Sequence, residues 1–197
     1  MSLAGIILAA GESRRMGRPK PLLAYRGETF LDALIAALST ACWPVIVVLG
    51  HDAAAIEEGS RRKGEARFVI NADYRKGQIT SLQRGLRELP EGCEGALFTP
   101  VDCPAVTAGT IRLLAAALRA GAAVAVPRHN GRRGHPVGVA GPILGELLAL
   151  PETGSAREVI HAHLGEAALV DVDDPGIALD VDDPEAYRRL LADEARA

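Results

Sequence analysis

Apolar residues along this chain fall into two alternating patterns. Unbroken runs of aliphatic and β-branched side chains, the mark of strands buried on both faces, occupy residues 5–8, 45–49, 67–70, 96–99 and 122–126. Between them lie longer amphipathic stretches that predict helices over residues 29–40, 52–62, 79–89 and 107–120, with Thr29 and Thr107 placed as N-caps. This alternation predicts βαβ units with right-handed crossovers, hence an α/β fold: a Rossmann-like domain with a mainly parallel sheet flanked by helices. The last third is less regular. A strand is expected over 135–140, helices over 142–150 and 156–163, and short strands over 169–172 and 177–181. A final helix begins at Asp183-Pro184, with Pro in its first turn. Asp-Val-Asp-Asp-Pro occurs at 171–175 and again at 180–184, too isolated to mark a repeat architecture. With no linker or low-complexity tract, residues 1–197 read as a single domain.

Composition supports this picture and narrows the function. Hydrophobic residues make up 48% and charged residues 24%, as in ordinary globular domains. One Trp, three Tyr and three Phe leave Ala, Leu and Val to fill the core. The net charge of −3 gives no general attraction to nucleic acid or to an anionic membrane. No apolar run reaches the roughly 18 residues of a spanning helix, and the opening Met1-Ser2-Leu3-Ala4-Gly5-Ile6 lacks a basic leader region. A cytoplasmic location follows as the expectation. Cys42, Cys93 and Cys103 show no metal-ligand spacing and are expected to be reduced thiols.

Charge is unevenly placed. Arg14, Arg15, Arg18 and Lys20 crowd the loop after the first strand, at the edge where parallel α/β sheets bind ligands. Ala9, Ala10 and Gly11 let a ligand lie close to the backbone, and the basic side chains suit phosphate. Neither a dinucleotide fingerprint nor a P-loop is present, and a solvated basic turn fits the composition equally well. Asp102, flanked by Pro100 and Pro104 after the fourth strand, can hold Mg²⁺ against phosphate oxygens or simply cap a turn. Alternation through Val181 puts Asp180 and Asp182 on one side of a strand, with Asp183 free to cap the last helix. Asp171, Asp173 and Asp174 are expected at the surface. Gly131 and Gly134 suggest a tight turn exposing Arg132, Arg133 and His135. Asn71 and Ser81 can donate hydrogen bonds to a ligand or cap the helix near Ile79, capping being the default for Ser81.

The loop Leu8-Ala9-Ala10-Gly11-x-Ser13-x-Arg15-Met16-Gly17-x-x-Lys20 resembles the signature of nucleotidyltransferases that activate sugars, alcohols and cofactors with an NTP. Within these, the chain most resembles the molybdenum cofactor nucleotidyltransferases, the MobA/MocA-like group, colinearly from Gly5 to Tyr187. The resemblance implies a fold of the nucleotide-diphospho-sugar transferase type and transfer of a nucleoside monophosphate to a phosphorylated acceptor, releasing pyrophosphate. It implies that Leu8, Ala9, Ala10, Gly11, Arg14 and Lys20 wrap the nucleotide and that Arg15 and Lys20 meet its phosphates. Asp102, in a pattern similar to x-x-Asp-x-Pro, would be catalytic and hold Mg²⁺. Asp182 would be the second metal ligand, in a segment similar to Asp-Ile-Asp-Thr-Pro-Glu-Asp but with Asp183 for the usual Thr and Ala186 for the last Asp. Gly134-His135-Pro136 resembles an acceptor segment, implying acceptor contacts from Arg133 and His135. Asn71 to Leu82 resembles the segment near base and ribose, implying nucleotide contacts from Asn71 and Ser81. Ala10, where guanylyl-transferring members commonly carry Gly, narrows the base pocket and favours CTP. The favoured acceptor is molybdopterin-type cofactor, with a molybdenum hydroxylase as a protein partner and neither nucleic acid nor membrane. The alternatives are transfer to a sugar or alcohol phosphate, and a non-catalytic chaperone that carries cofactor to a hydroxylase.

Overall fold

From Leu3 to Ala9 no side chain is polar, and such a segment is satisfied only at the centre of a sheet covered on both faces. The computed structural model, which describes residues 1–194, puts it there. The chain runs β1 (Ser2–Ala9), the ribbon β2 (Ala24–Tyr25) and β3 (Glu28–Thr29), α1 (Phe30–Ser39), β4 (Val45–Leu49), α2 (Ala53–Gly59), β5 (Arg67–Ile70) and α3 (Gln78–Leu86). It continues through β6 (Cys93–Pro100), α4 (Ala108–Arg119), β7 (Val124–His129), β8 (Arg132–Arg133), β9 (Val137–Ala140), α5 (Pro142–Ala149), α6 (Ala156–Ala162), β10 (Ala168–Asp171) and α7 (Pro184–Glu194).

The main sheet has the order β10-β7-β9-β6-β1-β4-β5, with β8 hairpinned onto β7. Strands β5, β4, β1 and β6 are parallel, while β9 lies antiparallel between β6 and β7. Period-two alternation splits β1 between two cores. Leu3, Ile7 and Ala9 pack with Phe30, Leu34 and Ile111 on one face, and Ile6 and Leu8 with Leu82, Leu147 and Ile160 on the other. The expected α/β class and mainly parallel sheet are therefore found. Thr29 and Thr107 cap as expected, accepting from the amides of Asp32 and Thr110. The three cysteines are free. Among the described residues, no helix is long and apolar enough to cross a membrane.

Several boundaries differ from the sequence pattern for identifiable reasons. The helix expected over 52–62 stops at Gly59. The buried Asp32 carboxylate captures the Ser60 hydroxyl at 2.7 Å and the Arg62 amide at 3.2 Å, drawing the chain out of the helix. The strand expected over 177–181 is instead a 3₁₀ turn, Pro175–Ala178, followed by irregular chain. Asp180 and Asp182 consequently do not share the face of a strand. Asp171 and Asp173 lie at the surface, but Asp174 does not: it is 3% exposed. Its carboxylate accepts from Thr107 Oγ1 (2.8 Å), Thr110 Oγ1 (2.6 Å) and the Thr107 and Gly176 amides, pinning the 3₁₀ turn to the start of α4. Asp174→Ala strands these donors in a buried site, so it is expected to cost about 3 kcal/mol, read as a lower denaturant midpoint with unchanged slope.

Candidate active site

The strand ends converge by register. Leu8 on β1 pairs with Pro100 on β6, so the loops that leave these two strands face each other. The first is folded rather than solvated. Ser13, at φ +50°, accepts at its carbonyl from the Met16 and Gly17 amides, and its hydroxyl accepts from the Lys20 amide at 3.0 Å. Met16 plugs the loop into the core at 7% exposure. The third segment is tied in when the Val181 amide donates to the Asp102 carbonyl at 2.9 Å.

These ties bring distant charges together. Lys20 Nζ lies 2.8 Å from Asp182 Oδ1 and 3.3 Å from Asp102 Oδ2, and Arg15 Nη2 lies 3.1 Å from Asp182 Oδ2. Burial raises the pKa of Asp102 against the opposing pull of Lys20, and the carboxylates of Asp180 and Asp182 push it up further. The hydrogen bond from Lys20 holds that of Asp182 below its usual value. Asp180 leans toward the same place from the other side. It accepts from the Cys103 thiol at 3.0 Å, and burial pushes that thiol's pKa up, so it remains a donor. Potential ligand atoms of Asp102, Cys103 and Asp180 all lie within 4.8 Å of one another. Two carboxylates on one ammonium, with the carboxylate of Asp180 close to that of Asp102, form a hard-oxygen donor set with surplus negative charge, which fits a divalent cation such as Mg²⁺ or Mn²⁺.

Two cavities meet beside this cluster. The smaller, about 340 Å³, is lined by Leu8, Ala9, Ala10, Gly11, Arg14, Arg15, Lys20, Ser81, Asp102 and Asp182, all singled out from the sequence. Arg14 pairs with Glu12, which also accepts from Arg75 at 2.8 Å, and these guanidinium groups, Arg14 first, hold the Glu12 pKa down to about 2. Asn71 does not line the cavity. It is buried, and its amide is spent on Thr80 Oγ1 (2.9 Å) and Ser81 Oγ (3.0 Å), bracing the first turn of α3. Ser81 caps nothing, because the N-cap position belongs to Gly77 at φ +142°.

The larger cavity, about 900 Å³, shares Leu8, Gln78 and Pro100 with the first and holds Arg133 and His135 on its wall. Gly134 is required there: a Cβ would come within 1.9 Å of the Ile177 carbonyl, to which the His135 amide donates at 2.7 Å. Burial lowers the His135 pKa against Asp180 and Asp102, and its Nδ1 is buried with no hydrogen-bond partner among the described residues. Within the Asn71–Leu82 segment the resemblance assigns contacts to Asn71 and Ser81 alone, but Tyr74 lines the smaller cavity and Gln78 borders both.

Comparison with known proteins agrees with this layout. Residues 5–168 match the family described as MobA-like NTP transferase domain. The chain is 29% identical over 182 residues to the molybdenum cofactor cytidylyltransferase of Escherichia coli (strain K12), covering 92% of each. It is 31% identical over 199 residues to nicotine blue oxidoreductase of Paenarthrobacter nicotinovorans, covering 96% of each. Among solved structures, Rv0371c from Mycobacterium tuberculosis H37Rv gives a TM-score of 0.87 at 30% identity over 98% of both chains. A complex of Rv0371c with manganese gives 0.83 at 28% identity over 98% of this chain and 99% of that one. With signature loop, carboxylate cluster and fold in agreement, the chain belongs to the MobA-like NTP transferase family and is a nucleotidyltransferase related to the molybdenum cofactor cytidylyltransferase.

Proposed function

We propose that this chain transfers CMP from CTP to the phosphate of a molybdopterin-type acceptor in the cytoplasm, using Mg²⁺ and releasing pyrophosphate, and that the product serves a molybdenum hydroxylase. The observation that carries this reading is the paired cavity. A small pocket walled by cationic side chains and tight backbone opens onto a larger one at Leu8, Gln78 and Pro100, beside the carboxylate cluster. CTP fits the first and the acceptor the second.

The acceptor phosphate oxygen attacks the α-phosphorus in line as the bond to the β-phosphate oxygen breaks, and pyrophosphate leaves with that electron pair. Negative charge builds on the α-phosphate and the leaving group, so the chain's task is orientation and charge stabilisation. Lys20 and Arg15 exchange carboxylate oxygens for phosphate oxygens when the nucleotide enters, and the backbone of residues 9–11 lies against the phosphates. Asp102 and Asp182 would hold Mg²⁺, which supplies charge neutralisation at the α-phosphate. Ser81 borders the base and ribose, and Arg133 with His135 orients the acceptor. The Ala10 methyl group narrows the base side and favours a pyrimidine. The manganese complex of Rv0371c supports a divalent cation in this fold.

Thermal shifts with the four NTPs and Mg²⁺ test the nucleotide. CTP at a hundredfold excess over its dissociation constant is expected to add about 2.7 kcal/mol, with smaller shifts from GTP and ATP. Pyrophosphate release across an acceptor panel tests the rest. Release with a sugar or alcohol phosphate but not with molybdopterin replaces the acceptor, and tight acceptor binding without any release makes the chain a carrier.

A further inference from the structure

The larger cavity is far bigger than one phosphate group, and most of its wall lies away from the carboxylates. About 900 Å³ is near the top of the range for small-molecule sites. Part of its lining is apolar: Leu82, Phe98, Val126, Val137 and Ile160 border it and are all less than 9% exposed. A planar ring system buries more apolar surface against such a lining than a sugar or polyol phosphate, whose hydroxyls would lose water there.

Three arginines and one carboxylate, that of Asp180, charge its lining. Arg132 and Arg133 border the cavity on one side, and Arg157 and His161 on another. Arg157 and His161 stand four residues apart, on one face of α6. The side chains of Arg132, Arg133 and Arg157 make no ion pair among the described residues, while Arg128, close by on β7, is held bidentately by Asp171 at 2.7 and 2.8 Å. Neither Arg157 nor His161 borders the smaller cavity, so both stand away from the junction where the reacting phosphate must lie.

We propose that Arg157 and His161 form a second anion-binding subsite, holding a negatively charged group at the end of the acceptor remote from its reacting phosphate. The apolar lining carries the flat body between the two ends. This rests on the larger cavity being the acceptor site, and α6 then sets acceptor choice without touching the nucleotide.

Two measurements test it, one of them independent of catalysis. Fluorescence titration with 8-anilinonaphthalene-1-sulfonate, a flat apolar anion, reads the subsite directly. Arg157→Ala is expected to weaken binding about tenfold, the loss of one charge-assisted contact, and Arg157→Lys to restore part of it. Arg112→Ala removes an equal charge from exposed α4, outside this cavity, and is expected to leave the titration unchanged. In pyrophosphate-release kinetics with molybdopterin, Arg157→Ala is expected to raise the acceptor KM about tenfold while the CTP KM stays put. Equal titrations for Arg157→Ala and the wild type overturn the subsite, as does equal weakening by Arg112→Ala. A weakened titration with an unchanged acceptor KM also overturns it. If no acceptor yields pyrophosphate but Arg157→Ala still weakens the probe, the proposed reaction falls and the anionic subsite stands.

Discussion

Asp102→Ala is expected to lower pyrophosphate release by roughly a thousandfold or more, while the thermal shift produced by CTP shrinks far less. The carboxylate lines the smaller cavity close to Pro100, which borders both, and its backbone carbonyl is fixed by the Val181 amide. In the proposed function nucleotide binding draws on Lys20, Arg15 and the close backbone of residues 9–11, which line the smaller cavity and which the substitution does not remove. A second readout separates lost chemistry from lost folding. Burial raises the pKa of Asp102 in the folded protein, so the folded state holds its proton more tightly than the unfolded chain does. In the absence of divalent ions its contribution to stability is therefore fullest at low pH and fades as pH rises through the folded value. Asp102→Asn abolishes that dependence by removing the charge. Its thermal midpoint in metal-free buffer above that pH is expected to equal or exceed that of the wild type, even though its turnover is gone. Such an exchange of stability for function is usual where charges are gathered for catalysis. A midpoint well below wild type would make Asp102 structural; turnover within tenfold of wild type would remove it from the reaction.

What the sequence discloses about this molecule depends on how local the deciding contact is. The apolar runs of β1 and β4 and the caps at Thr29 and Thr107 are decided within a few residues, and all are legible. The pentapeptide Asp-Val-Asp-Asp-Pro marks the limit, because its two copies meet different fates. Asp183 in the second copy accepts from the Glu185 and Ala186 amides and caps α7, a local act that the sequence predicts. Asp174 in the first copy is buried under α4, because Thr107 and Thr110, more than 60 positions earlier, come to meet it. No spacing rule contains that encounter. The same holds within the site. Asn71 has the polarity of a ligand contact, but the hydroxyls of Thr80 and Ser81 reach it first. Arg157 and His161 have the spacing of any solvated helix face, and only the packing of α6 beside the β7–β9 part of the sheet makes them line a cavity.

Lys20→Ala is expected to lower turnover by a hundred- to a thousandfold, since one preorganised charge at a developing oxyanion supplies about 3–4 kcal/mol. Lys20 is preorganised to an unusual degree for its length. Its amide is anchored to Ser13 Oγ, its side chain is only 12% exposed, and its ammonium already occupies the place between Asp102 and Asp182. That arrangement gives the variant a second, opposite signature. Without the ammonium, Asp102 and Asp182 face each other with Asp180 nearby, and the balancing charge falls to Arg15, whose side chain is 68% exposed and pairs with Asp182. Removing one partner from a partly buried ion group is expected to cost on the order of 2 kcal/mol in metal-free buffer, since solvent at Asp182 screens some of the loss. Millimolar Mg²⁺ is then expected to restore the thermal midpoint of Lys20→Ala more than it raises that of the wild type, because the freed carboxylates have gained room for a divalent ion. Turnover is not expected to return with it, because a metal among the carboxylates does not replace a cation on the leaving pyrophosphate. Recovery of both together would mean that Lys20 only shields the acidic cluster, and Arg15 would inherit the phosphate role. Recovery of the midpoint alone separates the two duties of this one side chain: balancing the carboxylates before nucleotide arrives, and stabilising the leaving group afterwards.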